Sequence, residues 1–75
     1  MTNDRKLPFP CMILDSEPVE VQNPFSGEVC MLEPDAVAVY DTIKGCEMFG
    51  DYAMVRKGLD WFRKYFPEQY MVLLD

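Results

Sequence analysis

The chain has 75 residues, of which 49% are hydrophobic and 13% aromatic, and this is the composition of one small globular domain rather than of a disordered segment. Thirteen acidic residues outnumber seven basic ones, and the net charge of −6 argues against direct binding to nucleic acid or to anionic membranes. The absence of histidine excludes Ser-His and Cys-His catalytic arrangements.

The cysteines indicate free thiols rather than a metal site or a disulfide framework. Cys11, Cys30 and Cys46 are odd in number and widely spaced, whereas zinc sites usually place cysteine pairs about two to four residues apart and add histidine. We therefore expect no metal and no cofactor. No signal peptide precedes the cysteines, and no apolar run approaches the roughly 18 residues of a membrane span. These features predict a cytoplasmic protein that does not enter a membrane.

The first half of the chain predicts a small antiparallel sheet. Residues 19–22 alternate apolar and polar side chains, which is typical of a half-buried strand, and residues 28–32 contain a second strand-like run. The five residues from Asn23 to Gly27 between them are rich in turn formers. We predict a hairpin that pairs these two segments, and the apolar run 11–14 is the candidate for a third strand.

From Glu33 onward the apolar residues recur with the period of a helix. Pro34 suits the first turn of a helix, Gly50 is placed to end it, and Asp51 can cap the next one. We predict helices over about 34–49 and 51–66. Their apolar stripes are Ala36, Val39, Tyr40, Ile43 and Cys46 on the first, and Tyr52, Val55, Leu59, Phe62 and Phe66 on the second.

Pro67 ends the second helix or starts a new one, and residues 70–74 are apolar enough to form a short C-terminal helix. The predicted fold class is therefore α+β: a small sheet, an αα-hairpin and a short last helix. We expect one domain over residues 1–75, with residues 1–8 flexible.

The helical hairpin resembles one repeat of the tetratricopeptide family. Gly50-Asp51-Tyr52 stands where that family has a turn before its second helix, and Pro67 follows at the family's spacing. The resemblance covers about residues 39–74. It implies a helix–turn–helix, but a single repeat cannot form the stacked concave surface on which such proteins bind peptides. The whole chain is also similar in style to small uncharacterised proteins of tailed phages.

Two features of the first half of the chain are candidates for binding or chemistry. Asn23-Pro24-Phe25 matches the tripeptide that eukaryotic endocytic adaptor domains bind, but we expect a hairpin loop whose Phe25 folds back onto apolar surface. Seven acids and no base lie between residues 15 and 41. Because they fall at turns, on a polar strand face and at a helix start, we expect a solvated acidic face rather than paired-acid catalysis. Its members are Asp15, Glu17, Glu20, Glu28, Glu33, Asp35 and Asp41.

A second stripe on the second helix is the candidate interface, and it consists of Met54, Gly58, Trp61 and Tyr65. An aromatic and methionine-bearing stripe beside the core stripe has the composition of interface anchors. The alternative is that the N-terminal segment 9–14, or the last residues 70–74, covers this flank within one chain. The sequence leaves both open.

These observations predict a small acidic protein–protein interaction module and not an enzyme. One version is a phage accessory protein that binds and modulates a host protein in the host cytoplasm, for example by mimicking nucleic acid. The alternative is a structural or assembly component that acts through homo-oligomerisation. The expected partner is accordingly another protein or a second copy of the chain.

Overall fold

A computed structural model describes residues 6–74, and it confirms the α+β architecture. Two strands, β1 (Val19–Gln22) and β2 (Val29–Leu32), are followed by helices α1 (Pro34–Phe49), α2 (Tyr52–Tyr65) and α3 (Pro67–Leu73). The predicted hairpin and helical hairpin therefore exist with bounds within one residue of those expected. The short last helix begins at Pro67, three residues before the apolar segment that indicated it.

The two strands pair antiparallel, with Val19 opposite Leu32 and Val21 opposite Cys30. These four side chains are buried or half-buried, whereas the alternate residues of both strands are exposed. The period of two in the sequence thus sets which face of the hairpin packs on the helices.

The predicted third strand over residues 11–14 is wrong. Among residues 6–74 the sheet has two strands, and this segment has no strand pairing. Met12, Ile13 and Leu14 are exposed, and Cys11 is half-buried against the core. The run is apolar throughout and lacks the alternation that would give one face to the core and one to water, and most of its side chains face solvent instead.

Local signals explain the ends of the helices. Pro34 occupies the first turn of α1, and Gly50 ends that helix in the left-handed conformation, with φ 77°. The Asp51 carboxylate then accepts a hydrogen bond from the Met54 N–H at 3.3 Å and caps α2. Pro67 opens α3 directly after α2.

The core lies between α1, α2, α3 and the inner face of the hairpin. Its members with no exposed surface include Leu32, Val39, Ile43 and Phe62. Tyr52, which was predicted to belong to the core stripe of α2, is instead exposed at the first turn of that helix. Within residues 6–74, each helix falls short of the length and hydrophobicity needed to span a membrane.

Candidate functional site

The stripe predicted as an interface lies against the chain's own core. Trp61 and Gly58 are buried, while Met54 and Tyr65 are half-buried and pack against the core cluster. The Trp61 indole is therefore not accessible to another protein in the folded chain.

Lys6 and Phe9 provide the cover over this stripe. Phe9 belongs to the segment 9–14 that was one of the two intrachain alternatives, whereas Lys6 lies before that segment and residues 12–14 are exposed. The Trp61 Nε1–H donates to the carbonyl oxygen of Lys6 at 2.7 Å. Phe9 is buried, and its ring lies 3.3 Å from the position that a Cβ on Gly58 would occupy. So small a domain uses this apolar stripe for its own core. Of the segment expected to be flexible, residues 6–8 are described here, and residues 1–5 lie outside the described residues.

The predicted acidic face loses one member. Asp35 is only 1% exposed, and its carboxylate accepts the N–H of Ala36 at 2.9 Å in the first turn of α1. Carboxylates are stabilised there by the positive end of the helix dipole. Asp35 is thus part of the interior. The other predicted members are exposed, namely Asp15, Glu17, Glu20, Glu28, Glu33 and Asp41.

One carboxyl and two thiols have raised pKa values. Partial burial and then the negative charge of Asp15 raise the pKa of Asp41. Burial, followed by the charge of Asp35, raises the pKa of the Cys11 thiol, and burial alone raises the pKa of Cys30. These two thiols are therefore weak nucleophiles at neutral pH.

The loop between the strands, residues 23–28, is held in one conformation by hydrogen bonds, and we call it the Phe25 loop. The Asn23 side-chain oxygen accepts the N–H groups of Phe25 at 2.8 Å and Ser26 at 3.3 Å. The backbone of Asn23 bonds to Glu28 at 2.8 Å and to Gly27 at 2.9 Å, and Gly27 adopts a left-handed φ of 80°. This is an Asx turn inside a closed hairpin loop.

The same asparagine ties the loop to the helical layer. Its Nδ2 donates to the carbonyl oxygen of Val72, in α3, at 2.8 Å. The loop is thus fixed both internally and to the body of the domain.

Phe25 stands at the tip of this loop with 94% of its surface exposed. The expectation that its ring folds back onto apolar surface is therefore wrong. Because Asn23 and Gly27 are both used to close the turn, the Phe25 side chain is directed away from the domain.

A second feature is an open groove beside α2, which we call the α2–α3 groove. It has a volume of about 390 Å³, and its lining combines apolar, tyrosine, arginine and aspartate side chains. Arg63 pairs with Asp60 and lies over the Tyr70 ring at 5.6 Å. The lining residues are Tyr52, Val55, Arg56, Leu59, Asp60, Arg63 and Tyr70.

Residues 6–74 contain no group of three or more cysteine, aspartate and glutamate side chains placed to hold a metal ion. The groove is open to solvent, and the carboxylate that lines it is paired with an arginine. Its guanidinium groups and tyrosine rings suit recognition of carboxylate and aromatic side chains rather than proton transfer.

No family model, curated protein or solved structure matches the chain. The function must therefore be argued from the residues and surfaces described above.

Proposed function

We propose that this protein is a small acidic protein-binding module that binds and modulates a larger protein, with the Phe25 loop as its principal contact. The observation that carries this proposal is a phenylalanine ring exposed to water on a loop closed by hydrogen bonds. Burying such a side chain is worth about 1.5–3 kcal/mol. Because the loop is already ordered, binding loses little of this gain to conformational entropy.

The charge of the surrounding surface defines the partner. Residues 7–43 contain six exposed acids and no base, and two of these acids, Glu20 and Glu28, lie on the hairpin that carries Phe25. The complementary partner is a protein with an apolar recess for one aromatic ring and basic side chains around it. For a phage-encoded protein, that partner is a host protein in the host cytoplasm. This proposal involves no direct contact with nucleic acid, no membrane and no catalysis.

The alternative function is structural, in which copies of the chain assemble with one another. The α2–α3 groove favours it, because Arg56 and Arg63 offer basic side chains beside aromatic rings. This is the chemistry that the Phe25 loop would require of any partner.

A capture experiment with a matched control tests the main proposal. The wild-type protein, Phe25→Ala and Phe49→Ala are immobilised, incubated with lysate of the source organism or of its host, and the retained proteins are identified by mass spectrometry. Phe49 is the control because it is also a phenylalanine, it is 90% exposed, and it lies at the end of α1.

We expect a protein retained by the wild type and by Phe49→Ala and lost with Phe25→Ala, whose circular dichroism spectrum should be unchanged. Retention by all three proteins, or loss only with Phe49→Ala, would contradict the assignment of binding to the Phe25 loop.

A further inference from the structure

We propose that the α2–α3 groove is a binding site for the Phe25 loop of a second copy of this chain. The inference rests on the proposed function, since it names a partner for the same loop. It assigns a role to the groove, which the sequence did not reveal.

The groove has the chemistry that the loop requires. Val55 and Leu59 provide apolar side chains, Tyr70 provides an aromatic ring, and Arg56 and Arg63 provide the positive charge. Arg63 is already paired with Asp60, whereas Lys57, one residue beyond Arg56, does not line the groove. An aromatic ring can lie against the apolar side chains and Tyr70, with a neighbouring carboxylate on Arg56.

The loop supplies the matching groups in the same short segment. Phe25 presents the ring, and Glu28, three residues later, presents an exposed carboxylate. The wider surfaces are complementary too: residues 7–43 carry six exposed acids and no base, whereas α2 carries four bases and one acid. Opposite charges of this kind orient two copies before the ring is buried.

The groove that receives the loop must belong to another copy. Phe25 is exposed within its own chain, and Asn23 ties the loop to the carbonyl of Val72. The loop therefore keeps its outward direction and does not fold into the groove of the same molecule. Two copies can exchange loops in a closed dimer, or each can pass its loop to the next copy.

Sedimentation velocity and light scattering of the purified protein between 1 µM and 1 mM test this inference. We expect a mass that rises from that of the monomer to at least twice that value. Phe25→Ala should raise the dissociation constant by at least about tenfold, the loss expected for one buried phenylalanine. Arg56→Glu should also weaken association, by at least about threefold.

Two further variants test specificity. Lys57→Glu makes the same change of charge one residue away, and it should weaken association less than Arg56→Glu does because Lys57 adds only to the general positive charge of α2. The double variant Glu28→Arg with Arg56→Glu reverses both members of the proposed ion pair in each copy and should recover most of the association lost with Arg56→Glu. Circular dichroism of each variant checks the fold, and Arg56→Gln replaces Arg56→Glu if the latter unfolds.

A protein that stays monomeric at 1 mM would overturn the inference. Equal weakening of self-association by Lys57→Glu and Arg56→Glu would also overturn the inference, because it would show that only the overall charge of α2 matters. Neither result touches the proposed function, which depends on retention of a cellular protein by the Phe25 loop. Conversely, loss of self-association with Phe25→Ala but unchanged capture of the cellular protein would contradict the proposed function and leave the inference standing.

Discussion

Gly58 of α2 packs tightly against Ile43 of α1, and replacing it with alanine should destabilise the fold. A Cβ at this position would lie 2.5 Å from Cγ1 and 2.7 Å from Cδ1 of Ile43, and 3.3 Å from the ring of Phe9. Ile43 has no exposed surface and is branched at Cβ, so it cannot move aside freely. Such overpacking costs about 1–3 kcal/mol.

The alanine also brings a gain, since glycine inside a helix is about 0.5–1 kcal/mol less favourable than alanine. Because both contacts with Ile43 are shorter than 3.0 Å, the overpacking cost falls in the upper part of its range, about 2–3 kcal/mol, and the net loss in the free energy of unfolding is roughly 1–2.5 kcal/mol. For a domain of this size, that loss lowers the melting temperature by about 4–20 °C.

Gly45 provides the matched control because it lies inside α1 with no heavy atom within 4 Å of its Cβ position. Gly45→Ala should therefore stabilise the protein by about 0.5–1 kcal/mol. Thermal and urea denaturation followed by circular dichroism measure both variants.

The two glycine substitutions should thus have opposite signs. Ile43→Val, which removes Cδ1, should recover part of the loss when combined with Gly58→Ala, so that the double variant loses less than the sum of the single losses. A Gly58→Ala protein as stable as the wild type would refute this account of how the two helices pack.

Two other predictions concern the covered flank and the acidic surface. Trp61→Phe removes the hydrogen bond to the Lys6 carbonyl and should lower the free energy of unfolding by about 1 kcal/mol. Backbone hydrogen exchange around residue 7 should become faster. Unchanged exchange would show that this hydrogen bond does not hold the N-terminal segment in place. Asp41→Asn should stabilise the protein at pH 7: burial and the charge of Asp15 raise the pKa of Asp41 in the folded state, so its ionised form costs stability above that pKa. This stability advantage over the wild type should disappear as the pH falls below the ordinary carboxyl pKa of 3.8, because both forms of residue 41 are then uncharged. Denaturation is measured at pH 7 and at pH 3. The same difference in stability between variant and wild type at both pH values would contradict the raised pKa of Asp41.

The elements that could be predicted from the sequence are those with strong local signals. Pro34 and Pro67 mark helix starts because proline restricts its own φ, and Gly50 ends α1 because glycine readily adopts a left-handed φ. These preferences act regardless of tertiary contacts. The alternation of apolar and polar residues over 19–22 similarly indicates which face of the strand is buried. Such signals suffice for the order and type of the elements.

The errors arise where tertiary packing decides. The Trp61 stripe has the composition of an interface, but only the folded chain reveals that Lys6 and Phe9 cover it. Asp35 was grouped with the exposed acids because sequence spacing gives no depth, and the structure buries it at the start of α1. Residues 11–14 are apolar, which suggested a third strand, but no neighbouring strand pairs with them in the described structure.

The candidate site was only partly accessible to sequence reasoning. The turn chemistry of Asn23 and Gly27 predicted a loop, but the outward direction of Phe25 depends on the combined hydrogen bonds of Asn23 within the loop and to α3. The α2–α3 groove was missed altogether. The groove forms because α3 folds back beside α2 and brings Tyr70 against Arg63. This contact joins residues on different helices, so no local sequence pattern indicates it.

The most direct test of the central claim is the affinity of the captured cellular protein for two variants that each lose one exposed phenylalanine. Isothermal titration calorimetry of the purified partner against the wild type, Phe25→Ala and Phe49→Ala gives the three dissociation constants. We predict that Phe25→Ala weakens binding at least about tenfold, as expected for one ring that is buried only in the complex, while Phe49→Ala stays within about twofold of the wild type. Equal dissociation constants for the wild type and Phe25→Ala would contradict the claim that the Phe25 loop is the principal contact.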